Sequence, residues 1–153
     1  VSLKNPVQED AHRYSDEQLV GAQKICTPLF ERGKVVWSGN RGHIWVSGTA
    51  AIRGEESIPG DVLQQTKITC DNIDQLVADK NLIDSGLPKT SFEKENLYVR
   101  GYVKYQSDGN TVLAYLQTRY PNAVVHVLEA DVCRQELLVE IEAEIGLQFN
   151  SSL

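Results

Sequence analysis

The run Val139-Glu140-Ile141-Glu142-Ala143-Glu144-Ile145 constrains this chain more than any other feature. Apolar and acidic residues alternate strictly, which is the period of a β-strand. Val139, Ile141, Ala143 and Ile145 face one side of it, and Glu140, Glu142 and Glu144 face the other. Three like charges on one strand face repel one another. A fold tolerates them on a solvated surface, or where at least one carboxylate lines a cleft and works there. Cys133 and Arg134 stand just upstream of Glu140. A thiol, a guanidinium and a carboxylate converge on a small ligand if the turn between them folds back.

The rest of the chain narrows the function classes. Its 153 residues suit one domain with a sizeable core. A net charge of −6 argues against general affinity for nucleic acid or anionic membrane, because both call for a basic surface. No apolar run reaches the length of a membrane span, and no signal-peptide core appears. Cys26, Cys70 and Cys133 are odd in number and lack CxxC spacing, which reads as three reduced thiols in a cytoplasmic protein. The sequence begins at Val1 and has no methionine, which fits a fragment, a processed chain or an incompletely represented one.

Residues 1–27 read as a polar amino-terminal arm, with a short helix capped at Ser15 and closed by Gln18. Residues 28–153 read as the domain. Phe30 to Trp37 and His43 to Ile52 form a hairpin about the turn Ser38-Gly39-Asn40-Arg41-Gly42. Gly54 to Pro59 is a loop. Asp61 then caps a helix whose apolar face carries Val62, Thr66, Thr69, Ile73 and Leu76, with Cys70 and Val77 beside them. Asn81 to Lys94 is a long loop. Leu97 to Tyr105 is a strand, and Gly109 to Tyr120 a second helix. Ala123 to Val132 and Leu138 to Ile145 are the last strands. The order β-β-α-β-α-β-β predicts an α+β fold, a mixed sheet with two helices on one face. Strands apolar on both sides leave the other face in need of cover, and oligomerisation supplies it most simply.

Four short motifs in register carry a family resemblance. They are Ile44-Trp45-Val46-Ser47-Gly48-Thr49-Ala50, Gly60-Asp61-Val62 with Gln65 leading to Asn72-Ile73, Tyr120-Pro121, and Val139-Glu140-Ile141-Glu142. Over about residues 28–146 the chain resembles the RidA/YjgF/endoribonuclease L-PSP superfamily. The resemblance implies a chorismate-mutase-like fold, a homotrimer with its sheets facing inward, and a small-molecule cleft at each subunit interface. Within the family, enamine and imine deaminases carry an arginine about eight residues before the first glutamate of the last strand. That position here is Val132, and Arg134 lies closer to Glu140. Ala130 to Glu142, and Lys4-Asn5-Pro6-Val7-Gln8, look like the carboxy-terminal catalytic half of chorismatases. Those enzymes hydrolyse chorismate or eliminate its pyruvate, and their chains run about twice this length.

Glu140 is the candidate acid and base: a half-buried carboxyl holds its proton to higher pH and can donate it and take it back. The alternative is a solvated strand-face glutamate. Cys133 is implied by the resemblance to steer the outcome or bind substrate, and is otherwise a small buried residue. Arg100, on a strand with Tyr102 and Tyr105, suits a carboxylate clamp, or a surface ion pair with Glu95. Arg134 is a second clamp. Gly48 and Thr49 could present backbone donors where glycine allows close approach, or form a β-bulge. His12, His43 and His126 match no metal spacing, and no cofactor is expected. Gly39-Asn40-Arg41-Gly42 is no phosphate loop, and the aromatics lack the basic interleaving of RNA-binding sheets. The partners expected are a small carboxylate-bearing metabolite and further copies of the chain, with neither nucleic acid nor membrane. The leading function is chorismatase-like cleavage of an enolpyruvyl ether; the rivals are an enamine or imine deaminase and a non-catalytic metabolite-binding trimer.

Overall fold

The computed structural model describes residues 1–7, 31–54 and 56–150. The expected arm helix at Ser15, the boundary at residue 27, Cys26 and Phe30 lie outside the described residues. Strands β1 (Gly33–Ser38) and β2 (Arg41–Thr49) form the first hairpin. Their turn is the two residues Gly39-Asn40, with Ser38 paired to Arg41. Gly39 has φ +59, as the first central residue of a type II′ turn requires. A two-rung hairpin follows, β3 (Ile52–Arg53) and β4 (Glu56–Ser57). Then come α1 (Val62–Leu76), α2 (Asp79–Asp84), β5 (Phe92–Val103), α3 (Gly109–Arg119), β6 (Val124–Glu129) and β7 (Val139–Phe149).

The main sheet runs β1-β2-β7-β5-β6. It is mixed, because β5 and β6 pair parallel while the other neighbours are antiparallel. The acidic strand β7 is therefore central. Its odd-numbered residues from Val139 to Phe149 are buried, and they meet Ile73 of α1 and Leu116 of α3 in the main core. Burying a residue such as Ile141 contributes roughly 1.5–3 kcal/mol. The opposite face stays open and carries exposed Val36, Trp45, Val124 and Leu128. Residues 1–3 line the outer edge of β1, with Val35 N donating to Val1 O and Leu3 N to Gly33 O, each at 2.8 Å.

Helix α1 follows the expected face, since Val62, Thr66, Thr69, Cys70, Ile73 and Leu76 are all buried. Asp61 caps it through a bond from Gln64 N at 2.8 Å, and the Gln64 side chain returns to Asp61 N at 3.0 Å, completing a capping box.

Several boundaries differ from expectation for physical reasons. Among the described residues three helices replace two: α2 occupies the start of the stretch read as a loop, too short to display a period of 3.6. Tertiary contacts hold it, with Leu82 fully buried and Asn81 Nδ2 donating to Leu76 O and Lys4 O. The loop from Gly54 holds most of a hairpin, β3–β4. Strand β5 starts at Phe92, because Glu93 to Asn96 pair along β7 although they are polar. Strand β7 runs on to Phe149, since Gly146 ends the acidic repeat without ending the apolar one. Strand β6 stops at Glu129; Val132 instead joins a second small core with Ala50, Ala51, Ile52 and Leu137.

Candidate functional site

The site begins at a fault in the β2–β7 ladder. Pairing is regular through Val46↔Ala143 and resumes, shifted, at Thr49↔Ile141. The extra residue makes a β-bulge, which re-aims the backbone. It turns Thr49 inward, where the side chain is 3% exposed and Oγ1 donates to Ser47 O at 2.9 Å. It also lays Gly48 against Glu140. A Cβ on Gly48 would stand 1.9 Å from Glu140 Oε1 and 2.8 Å from its Cδ. The carboxylate occupies the space that any other residue at position 48 would fill. Thus Gly48 serves close approach, though toward a side chain of this protein, and the bulge reading holds as well.

Arg32 completes the corner. It is 9% exposed, and its Nη1 donates to Gly48 O at 2.6 Å. Its backbone carbonyl accepts from Ser47 N at 2.9 Å. Burial raises the Glu140 pKa first, the Arg32 charge opposes that, and the neighbouring Glu142 charge adds to it. The net direction is upward, so Glu140 keeps its proton to higher pH than an ordinary glutamate. Cys133 lies within the same field. Cys133 is exposed, not the small buried residue of the alternative reading. Partial desolvation of its thiol raises its pKa, the Glu140 charge raises it further, and Arg134 and Arg32 oppose. A raised thiol pKa disfavours the thiolate and hence a nucleophilic role. The structure thus sets Glu140 beside Gly48 and within the field of Arg32, with Cys133 in the fields of Glu140 and Arg134. Arg134 Nη1 also donates to Ser57 Oγ at 3.0 Å, tying the segment before β7 to β4.

Arg100 stands farther along the same face, opposite Glu142 in register, while Tyr102 is opposite Glu140. Its guanidinium donates to Tyr98 OH at 3.1 and 3.2 Å, to Tyr102 OH at 3.2 Å and to Glu142 Oε2 at 3.3 Å. Tyr102 OH also donates to Glu142 Oε2 at 3.2 Å. Hydrogen bonds to Tyr102 and Tyr98 raise the Arg100 pKa. Its acidic partner is Glu142 and not the anticipated Glu95. On the same strand, Glu144 Oε2 lies 3.1 Å from His43 Nε2, and His43 stacks on Trp45 at 4.2 Å. The three glutamates of β7 therefore have three different settings, and only Glu140 faces a corner built from backbone. Among the described residues, no group of three or more His, Cys, Asp or Glu side chains could hold a metal ion. Nor is any helix long and apolar enough to cross a membrane.

No protein-family model matches the chain. The YjgF protein of E. coli superposes with a TM-score of 0.52 at 20% identity, over 82% of this chain and 91% of that one. The chorismatase of Streptomyces rapamycinicus is 32% identical over 152 residues, which are 95% of this chain and 43% of that protein. A chorismatase crystal structure superposes with a TM-score of 0.76 at 27% identity, over 95% of this chain and 43% of its own. The fold is that of the RidA/YjgF/L-PSP proteins, and over 95% of its length the chain is similar to chorismatases. It spans less than half the length of the chorismatases it matches.

The likeness to these proteins gives Val132 its meaning. The position where the deaminases carry arginine here packs into the small core at 9% exposure. This chain instead brings a guanidinium to the glutamate from Arg32, just before β1. Sequence reasoning missed Arg32 because no local pattern marks it; only the shifted β2–β7 register sets Gly48, and with it Arg32, beside Glu140.

Proposed function

We propose that this RidA-superfamily domain cleaves the enolpyruvyl ether of chorismate or a closely similar carboxylate, with Glu140 as general acid and base. The setting of Glu140 carries the reading: a half-buried carboxyl with a raised pKa, pressed on Gly48, within the field of Arg32 and with Cys133 in its own. A neutral Glu140 gives its proton to the terminal carbon of the enolpyruvyl double bond. The ether carbon becomes an oxocarbenium centre and water adds there. The resulting hemiketal passes its hydroxyl proton to the ring oxygen as the bond between the former ether carbon and that oxygen breaks, releasing pyruvate and a ring alcohol. The proton released by the water returns to Glu140, so the carboxyl ends as it began. Arg32, Arg134 and Arg100 are the guanidiniums available for substrate carboxylates, with the Gly48–Thr49 backbone supplying close contacts. Cys133, held as a thiol, bears on which oxygen captures the oxocarbenium centre. No cofactor enters this chemistry.

A homotrimer is part of the proposal. The site lies on the open face of the sheet, whose exposed Trp45, Val36, Val124 and Leu128 suit burial against further copies. Arg32 favours a second reading, an enamine or imine deaminase of the RidA type, because it restores a guanidinium beside the glutamate despite Val132. The same arginine weighs against a purely non-catalytic metabolite-binding trimer. Product analysis separates the readings. Chorismate incubated with the protein should yield pyruvate and a ring acid in equal amounts, whereas an amino-acid-derived imine should yield ammonia no faster than in buffer. Ammonia release without any pyruvate would replace the first reading by the second; inertness toward both would leave the binding trimer.

A further inference from the structure

Two fully buried amides on α1 have no part in the chemistry above. Gln65 and Asn72 are 1% and 3% exposed. They lie seven residues apart, about two turns, and so share one face of the helix. Each amide donates to backbone of a segment that adjoins the site, while Asn72 Oδ1 stays buried without a hydrogen-bond partner. Gln65 Nε2 donates to Glu136 O at 2.9 Å, and Gln65 Oε1 accepts from Leu138 N at 2.8 Å. Those two groups lie on the connection from Cys133-Arg134 into β7, immediately ahead of Glu140. Asn72 Nδ2 donates to Ala50 O at 3.0 Å and to Ile52 O at 2.9 Å. Those two lie on the chain that leaves the bulge just after Gly48 and Thr49.

The pairing has a physical logic. Both segments leave the main sheet to build the corner, and both give up the strand partner that would satisfy their backbone. Buried backbone groups without partners are costly. A primary amide can donate and accept at once, as a neighbouring strand does, and Gln65 does so across Glu136 and Leu138. Apolar side chains at 65 and 72 would pack as well yet leave those groups unpaired.

We infer that Gln65 and Asn72 are positioning residues, a pair of amide clamps by which α1 sets the Cys133–Glu140 arm and the Gly48 bulge against each other. The inference rests on the proposed site, and its test separates the two. In Gln65→Leu, hydrogen exchange at the Leu138 amide should speed about tenfold or more with the Ile52 amide unchanged, and in Asn72→Leu the pattern should reverse. Ile58 is no control, because Gln65 Nε2 also donates to Ile58 O at 3.5 Å. Alkylation of Cys133, assigned by peptide mass spectrometry, should quicken in Gln65→Leu while buried Cys70 on the same helix stays protected. On chorismate, Gln65→Leu should lose kcat about tenfold or more with KM little changed, and Gln65→Glu, which keeps the acceptor for Leu138 N, should recover part of it. Equal acceleration at both amides and at Cys70 would mean the side chains merely hold the helix, and would overturn the inference. No acceleration anywhere would overturn it too. Absence of chorismate turnover in the unaltered protein would remove the proposed reaction, while the exchange and alkylation patterns would still decide the clamps.

Discussion

Gly48→Ala should separate activity from stability. The added Cβ would lie 1.9 Å from Glu140 Oε1, where ordinary contact begins near 3.4 Å. The carboxylate must retreat by about 1.5 Å or the bulge must give way. The backbone itself offers no obstacle, because Gly48 is not among the glycines with positive φ. The atom in the way is the far end of a side chain, so stability should fall by no more than about 1–3 kcal/mol, the usual cost of overpacking. A misplacement of this size at a reacting group costs on the order of 100-fold in rate. The assay is pyruvate release from chorismate, beside a thermal melt of each variant. Glu140→Asp shortens the side chain by one carbon–carbon bond, roughly the displacement required. Gly48→Ala and Glu140→Asp should therefore be coupled, the double variant being more active than the two single losses combined predict. Full turnover by Gly48→Ala, or strict additivity in the cycle, would refute the contact as the reason for glycine.

Glu140→Gln should stabilise the protein above the carboxylate range. The folded pKa of Glu140 is raised, so the folded state binds the proton more tightly than the unfolded one. Unaltered protein then loses stability as pH rises from the ordinary glutamate pKa through the raised one, and the loss persists above it. Melts of the two proteins should converge in acid below the ordinary pKa and diverge toward neutrality; the same melting difference at every pH would contradict the cause. Cys133 should alkylate more slowly at neutral pH than a free thiol, and Glu140→Gln should speed it by removing one charge that raises its pKa. An unchanged or slower rate in that variant would remove Glu140 from the thiol's surroundings. Asp61→Ala removes the capping box of α1 and should cost about 1 kcal/mol, a melting point lower by about 2–4 °C, with chorismate kinetics unaffected.

The fold was legible where its cause is local. The alternation of β7, the apolar face of α1 with its Asp61 cap, and the Ser38 to Gly42 turn each follow from neighbouring residues, and each appears close to where the spacing puts it. Elements held by tertiary contacts were not legible: α2 is kept by Asn81 and Leu82, and the amino-terminal part of β5 by pairing along β7. Within the site, Glu140 could be singled out because β7 is a strand and the resemblance marked the position. The partners that make it unlike Glu142 and Glu144 could not. Arg32 and Gly48 meet it only because a single-residue bulge shifts the β2–β7 register, and a bulge leaves no period in the sequence. Arg100 lies on the strand its neighbours indicate, but its acid is Glu142 of β7 and not Glu95, a pairing that sequence distance conceals.

The central claim is that a protonated Glu140 starts the cleavage. The most direct measurement is the initial rate of pyruvate release from chorismate by the unaltered protein and by Glu140→Gln, both shown folded by the same melt. Removing a general acid typically costs about 10²–10⁴-fold. Pyruvate release falling into that range in Glu140→Gln, with chorismate binding retained, is the predicted result. Release at a rate near that of the unaltered protein would contradict the account.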